Sequence, residues 1–224
     1  MSLDIYAGEV LALVGDNGAG KSTLTRIISG FEKPDSGEVS IDGKHHDGLS
    51  LAAAHEIGIE AVPQDLAICD NLSAAMNVVL GRPPLTWCRI GKLGVIDRRR
   101  AEEMAREHIG SVGALLNDYT VPIRRFSGGQ RQAIAIGRAL MRCSRMIIFD
   151  EPTAALGSRQ RKSTLNIVRK TAQSGVATLL ISHNLDDVLA VADRVVALRL
   201  GEIVLDVPAS STSFDEVRQA MEGG

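Results

Sequence analysis

The sequence predicts an α/β fold: a mostly parallel sheet core, a small antiparallel β part and a helical subdomain set into the middle of the chain. Continuous apolar runs at Val10–Val14, Met146–Phe149 and Val176–Ile181 suit strands buried on both faces, as in a parallel sheet covered by helices. Helical patterns follow each run, the alternation of βα units. From Asp65 to about Ser144 this alternation stops and helical spacing dominates. Residues 1–64 and 145–224 are therefore expected to form the core of one domain, with 65–144 as its helical subdomain.

The first unit is Val10–Val14, then Gly15-Asp16-Asn17-Gly18-Ala19-Gly20-Lys21-Ser22, then a helical pattern over Thr23–Ser29 stopped by Gly30. Strand, glycine loop and helix in that order are what a phosphate-binding P-loop requires. Glycines let the backbone curl so that its N–H groups converge on phosphate oxygens, and the helix N-terminus adds positive dipole. Lys21 is placed to reach the β- and γ-phosphates and the Ser22 hydroxyl to hold Mg²⁺. Glu38–Ile41 is a short strand, Asp42-Gly43 a hairpin turn signal, and His45 and His46 fall in a polar loop. A short helix precedes the strand Gly58–Val62, which ends at Pro63-Gln64. Leu72–Leu80 reads as a helix, and Gly81–Gly94, with Pro83, Pro84 and three glycines, as a loop in which Trp87 is a packing anchor. Asp97 caps the next helix, whose face is Ala101, Met104, Ala105, His108 and Ile109. Arg98-Arg99-Arg100 opens it as a solvated face. Ser158 is expected to cap a helix running to about Gln173, with Leu165, Val168 and Ala172 on one face. Asn184–Ala192 is a helix, Val195–Leu198 and Ile203–Leu205 a closing hairpin around Gly201, and Phe214–Met221 a last amphipathic helix before a loose Gly223-Gly224 end.

Composition narrows the class. A chain of 224 residues with 45% hydrophobic and 23% charged residues can bury one sizeable core. A net charge of −2 and 3% aromatics give no nucleic-acid signature. No apolar run approaches the roughly 18 residues of a membrane span. Asp4 and Glu9 interrupt any signal-peptide pattern. Cys69, Cys88 and Cys143 are scattered, which fits reduced thiols and a cytoplasmic setting.

Four further features carry chemistry. Asp150-Glu151 directly follows an apolar strand, the edge at which open α/β sheets bind ligands. Asp150 is expected to hold Mg²⁺ through water, and Glu151 to polarise an attacking water as general base. His183 ends the Val176–Ile181 run after Ser182 and is expected to bond the γ-phosphate and orient the water. Gln64, at another strand end, offers an amide to Mg²⁺ and the lytic water. It also sits where the helical stretch begins, as a hinge that reports nucleotide occupancy. Phe126-Ser127-Gly128-Gly129-Gln130 is a second glycine loop opening a second helix; without a lysine it reads as an anion site rather than another P-loop. It lies over a hundred residues from Lys21, so one chain need not bring both loops to one phosphate.

These motifs together resemble the nucleotide-binding domain of an ABC transporter, in order and over nearly the whole chain. Gly15–Ser22 matches Walker A, Gln64 the Q-loop and Ser127–Gln130 the signature motif. Met146–Asp150 with Glu151 matches Walker B, and His183 the H-switch. The resemblance implies a P-loop NTPase that binds ATP with Mg²⁺ and hydrolyses it. Asp16, Asn17, Ala19 and Thr23 join the glycines, Lys21 and Ser22 around the phosphates, and Ser22, Gln64 and Asp150 serve the metal. It also implies two domains packed head to tail, with Ser127, Gly128, Gly129 and Gln130 acting in trans on the γ-phosphate. The stretch Ile59–Leu72, with Ala154-Ala155-Leu156-Gly157, is similar to the monosaccharide-importer branch, which serves ribose, xylose or fructose uptake. Implied partners are a second copy or a paired ATPase domain, integral-membrane permease subunits and, indirectly, a periplasmic-type sugar-binding protein. No nucleic acid is implied, and the place is the inner face of the cell membrane.

Three departures stand out. The family places an adenine-stacking aromatic further before the Walker A lysine than Met1 lies before Lys21, so the strand carrying it is missing here and Tyr6 is too close to replace it. Pro63 replaces a commoner aromatic, and Gly157 replaces a carboxylate that crosses the dimer interface. A rival reading is a soluble ABC ATPase acting on nucleic acid or ribosomes, a class with long coiled-coil insertions or paired domains that this sequence lacks. A GTP switch is disfavoured because Asn184-Leu185-Asp186-Asp187 has no lysine in the guanine motif.

Overall fold

The computed structural model describes residues 1–87, 94–154 and 156–223, with the side chain of Trp87 excluded. The anchor reading of Trp87, the Cys88 thiol, Ala155 and the Gly224 end lie outside the described residues. In chain order the elements are β1 (Val10–Val14), α1 (Lys21–Ile28), β2 (Val39–Ile41), β3 (Lys44–His46), α2 (Leu51–Ile57), β4 (Ile59–Val62), α3 (Ala74–Val78), β5 (Leu85–Trp87), β6 (Gly94–Ile96) and α4 (Arg98–Ser111). Then come α5 (Gly128–Arg142), β7 (Met146–Asp150), α6 (Ser158–Gln173), β8 (Ala177–Ile181), α7 (Leu185–Val191), β9 (Arg194–Arg199), β10 (Glu202–Pro208) and α8 (Phe214–Glu222).

The chain divides into two compact units, Met1–Gln64 with Cys143–Gly224, and Asp65–Arg142. The first is built on a six-stranded sheet of order β10-β9-β1-β8-β7-β4. Every pair is parallel except the β9–β10 hairpin at one edge. Strand β1 is buried along its full length, and its side chains split by period two. Leu11 and Leu13 join Ile148, Leu179 and Leu198 in a cluster against Leu24 and Ile28 of α1 and Ala54 of α2. Ala12 and Val14 join Val195 and Ala197 against Leu185 and Val188 of α7 and Val217 of α8. Helices cover both faces, which is why the strands read as unbroken apolar runs.

The second unit gathers Ala75 and Val78 of α3, Ala105 and Ile109 of α4, and Ile134 of α5 around the fully buried Tyr119 and Ile123. Asp97 caps α4 by accepting the Arg100 N–H at 2.9 Å, and Ala101, Ala105 and Ile109 form its buried face.

Several local expectations are corrected. His45 and His46 lie in β3, paired antiparallel with β2, rather than in a loop. Asp42 and Gly43 both take positive φ, 50° and 76°, the primed-turn geometry whose twist lets the chain return as a strand. Within Gly81–Gly94, Leu85–Trp87 pairs with Gly94–Ile96 as a two-stranded hairpin, because Pro83 and Pro84 end before the first strand and leave its N–H groups free to pair. Ser158 is the first helical residue of α6, and Gly157 is its N-cap. Gln160 Oε1 accepts the Gly157 N–H at 3.2 Å, the half of a capping box that asks for no side chain at the N-cap. Helix α1 opens at Lys21, two residues earlier than the apolar pattern shows, because left-handed Gly20 (φ 107°) turns the chain straight into it.

Candidate functional site

The parallel register brings the predicted residues of the first unit to one edge. Asp150 is level with Ile181, and Ile181 with Leu13. Glu151 follows directly on Asp150, His183 lies two residues past Ile181, and Gly15 lies two past Leu13. Val62 is level with Phe149, and Gln64 lies two residues past the end of this outer strand. The phosphate loop, Gln64, the carboxylate pair and His183 thus leave the carboxyl ends of β1, β4, β7 and β8 within about one residue rise, ~3.3 Å, along the strand direction.

The loop is built by backbone geometry. Gly15, Gly18 and Gly20 all have positive φ, and a Cβ on Gly15 would stand 2.4 Å from the Leu198 carbonyl oxygen. No other residue fits there. Lys21 folds over the loop, its Nζ donating to the carbonyls of Gly15 at 2.6 Å and Asp16 at 3.0 Å. Ser22 and Thr23 are exposed in the first turn of α1, beside Asp16, Asn17 and Gly18, while Ala19 is buried. A groove of about 420 Å³ flanks the loop, and its larger lining side chains are Leu24, Ile27, Leu198 and Leu200 with Met1, none of which carries a ring.

The adjacent carboxylates differ in environment. Burial raises the Asp150 carboxyl above its ordinary value, the neighbouring Glu151 charge adds to this, and Lys21 pulls the other way. Glu151 has φ 49°, left-handed backbone that is rare for a residue with a side chain. Its N–H donates to the Ile181 carbonyl at 3.0 Å. Its Oε1 accepts twice from His183, from the backbone N–H at 2.9 Å and from Nδ1 at 2.8 Å. Since a carboxylate only accepts, this contact puts the imidazole proton on Nδ1 and leaves Glu151 Oε2 for another partner. The His183 side chain is 72% exposed, against 15% for Glu151. Gln64 is exposed.

A network that the sequence does not announce lies under this pair. Asp187, 2% exposed, accepts from Thr153 Oγ1 at 2.7 Å and from Arg161 Nε at 2.5 Å. Arg161 also donates to Asn184 Oδ1 at 2.7 Å, and Asn184 caps α7 through the Asp187 N–H. These groups come from three separate elements and carry no spacing signal.

In the second unit, Ser127 and Gln130 open α5 by reciprocal capping. Gln130 Oε1 accepts the Ser127 N–H at 3.0 Å, and Ser127 Oγ accepts the Gln130 N–H at 3.4 Å. A Cβ on Gly128 would meet no atom within 4 Å, so the approach to the first-turn N–H groups is open there. After Gln64, Leu66 and Ala67 take positive φ, 60° and 42°, and Arg138 of α5 donates to both their carbonyls, at 3.0 and 2.7 Å.

A P-loop with an acid pair and a histidine on one sheet edge, plus a capped glycine loop in a helical unit, defines an ATP-binding cassette. The family model described as ABC transporter matches residues 1–154. The xylose/arabinose import ATP-binding protein of Sulfolobus acidocaldarius is 36% identical over 99% of this chain and 86% of its own length. The fructose import ATP-binding protein of Rhizobium meliloti is 40% identical over 96% and 84%. The chain spans only 42% of a ribose import ATP-binding protein of Rubrobacter xylanophilus, to which it is 38% identical. Among solved structures, a dimeric ATP-binding cassette in a post-hydrolysis state with ADP and Pi superposes with TM-score 0.77 at 27% identity, covering 95% of this chain and 89% of that one. The chain belongs to the ABC transporter family and is one of its ATP-binding, ATP-hydrolysing cassettes. Among the described residues, no helix is long and apolar enough to cross a membrane.

Proposed function

We propose that this cassette powers uptake of a small sugar through a membrane permease, working as a head-to-tail dimer on the inner face of the cell membrane. The partner ATPase is a second copy or a paired domain, and a periplasmic-type binding protein delivers the sugar. Support for the sugar comes from the relatives of similar length, which are named for xylose/arabinose and fructose import.

The observation that carries the chemistry is the Glu151–His183 contact beside the phosphate loop. The N–H groups of Gly15–Thr23 cradle the phosphates, and Lys21 exchanges the carbonyls of Gly15 and Asp16 for phosphate oxygens. Glu151, with Oε1 held by His183, presents Oε2 to the attacking water as general base. His183 can serve the γ-phosphate through Nε2 as donor only as the imidazolium, or after Nδ1 gives up its bond to Glu151. Ser22, Asp150 and Gln64 offer a hydroxyl, a carboxylate and an amide, hard oxygen donors that fit Mg²⁺. Among the described residues no three His, Cys, Asp or Glu cluster as a cage, which fits a cation that also takes oxygens from the substrate phosphates. Bound there, Mg²⁺ would neutralise charge between the β- and γ-phosphates. Ser127, Gly128, Gly129 and Gln130 complete the partner's site at the positive end of α5.

The test is Glu151→Gln, which keeps the shape and removes the base. It is expected to bind ATP like the parent, to lose hydrolysis by at least about a hundredfold, and to accumulate a dimer in size-exclusion chromatography. Parental turnover in this variant would remove Glu151 from its role.

A further inference from the structure

We infer that Arg161 and Asp187 are positioning residues that hold Glu151 and His183 in register with each other. The inference rests on the reading of those two residues given above.

Glu151 is largely buried and its N–H donates to the Ile181 carbonyl, yet neither its strained backbone nor the exposed His183 ring is self-sufficient. Glu151 sits in left-handed backbone at φ 49°, a conformation that persists only when its surroundings over-determine it. The His183 side chain is 72% exposed, so no core contact selects its rotamer. What the structure does fix are the residues beside them. Beyond Glu151 the turn is tied at Thr153, whose hydroxyl donates to the buried Asp187 carboxylate. Beyond His183 the chain is tied at Asn184, whose side chain accepts from Arg161 and whose N–H donates to Ser182 Oγ at 3.1 Å. One Asp187 carboxylate takes Thr153 on Oδ2 and Arg161 on Oδ1. One guanidinium spans Asp187 and Asn184. The two strand-end turns are thereby joined through Asp187 and Arg161 in addition to the Glu151 N–H bond to the Ile181 carbonyl and the direct contact between Glu151 and His183.

The chemistry asks for arginine at 161. Its planar fork meets Asp187 through Nε and Asn184 through a terminal nitrogen at fixed separation, whereas a lysine ammonium is a single point that keeps one of the two. The competing reading is a plain ion pair between α6 and α7, worth stability and nothing more.

Arg161→Lys and Thr153→Val separate the two, because Arg161→Lys keeps a cation opposite the buried Asp187 and the fold intact. Hydrolysis is measured on the full chain with saturating Mg²⁺ and ATP, together with KM, nucleotide affinity and Tm. A positioning role predicts that each single variant lowers kcat about tenfold while KM and nucleotide affinity stay within about twofold. The double variant should lose no more than the worse single, since both act through Asp187. The role is overturned if folded Arg161→Lys turns over at the parental rate, if kcat falls only in step with the unfolded fraction, or if the losses multiply in the double variant. Glu151→Gln is run alongside. Parental turnover there sinks the reading of the site itself. An inactive Glu151→Gln beside a fully active Arg161→Lys sinks only the positioning role.

Discussion

At the residue scale, two carboxylates one peptide bond apart have different surroundings, which suits the separate roles proposed for them. Asp150 ends β7, and burial raises its carboxyl, with the Glu151 charge adding to the shift and Lys21 opposing it. The Mg²⁺ role proposed for Asp150 requires the ionised form. As pH falls through the raised value, Asp150 takes up a proton, above the range where an ordinary aspartate would protonate, and metal affinity should drop. A Mg²⁺ titration of ATP hydrolysis at descending pH should show that acid limb, and Asp150→Asn should lack it while needing far more metal at every pH. The sign for stability is the reverse of a salt-bridged aspartate. A raised folded value means the ionised group costs stability above it, and the cost fades as pH falls toward the unfolded value. Asp150→Asn should therefore melt higher than the parent at neutral pH without Mg²⁺ and ATP, by calorimetry. The sequence pointed to both acids because they follow an apolar strand. It held no sign that Glu151 is left-handed or that His183 closes on it, since those facts depend on a register between β7 and β8.

At the scale of elements, the loop after Gln64 shows how a helix holds strained backbone. Leu66 and Ala67 both occupy left-handed φ without being glycine, at a cost of order 1–3 kcal/mol each. The Arg138 guanidinium of α5 bonds both their carbonyls, so the helix opened by Ser127 also steadies the segment that follows Gln64. Arg138→Met should cost about 1.5–3 kcal/mol in chemical denaturation, the range for hydrogen bonds to a charged group. Amide exchange should speed up at residues 65–70 before it does in the core of α4. Leu66→Gly in that background should recover part of the loss, because the strain is then gone. The strands of the sheet were legible because burial on both faces leaves unbroken apolar runs. Strand β2 and the Asp42-Gly43 turn were legible as well, but β3 and the β5–β6 hairpin were not. They are short and half-exposed, and β3 is Lys44-His45-His46, with no apolar residue to mark it. Its existence rests on two positive-φ turn residues rather than on a pattern. The N-cap of α6 was missed because Gly157 carries no capping side chain, while the neighbouring Ser158 is a residue type that caps.

At the scale of the whole molecule, the motifs fall in two compact units, the P-loop, acid pair and His183 in one and Ser127–Gln130 in the other. The order and spacing of those motifs were readable from the chain, but which copies of them meet over one ATP depends on assembly. The head-to-tail model makes a sharp demand. If each site takes Gly15–Ser22 and Glu151 from one chain and Ser127 from the other, Ser127→Arg alone and Glu151→Gln alone should each abolish turnover. Mixed before nucleotide is added, the two variants form a dimer with one doubly damaged site and one site built wholly from intact parts. Statistical mixing makes half the dimers mixed, each with one working site of two, so turnover per chain should recover to about a quarter of parental if the sites fire independently. Recovery well below that, with mixed dimers confirmed by mass spectrometry, would show that the two sites must fire together. No recovery beyond the sum of the separate variants, with Ser127→Arg still binding ATP, would mean that Ser127 serves the P-loop of its own chain.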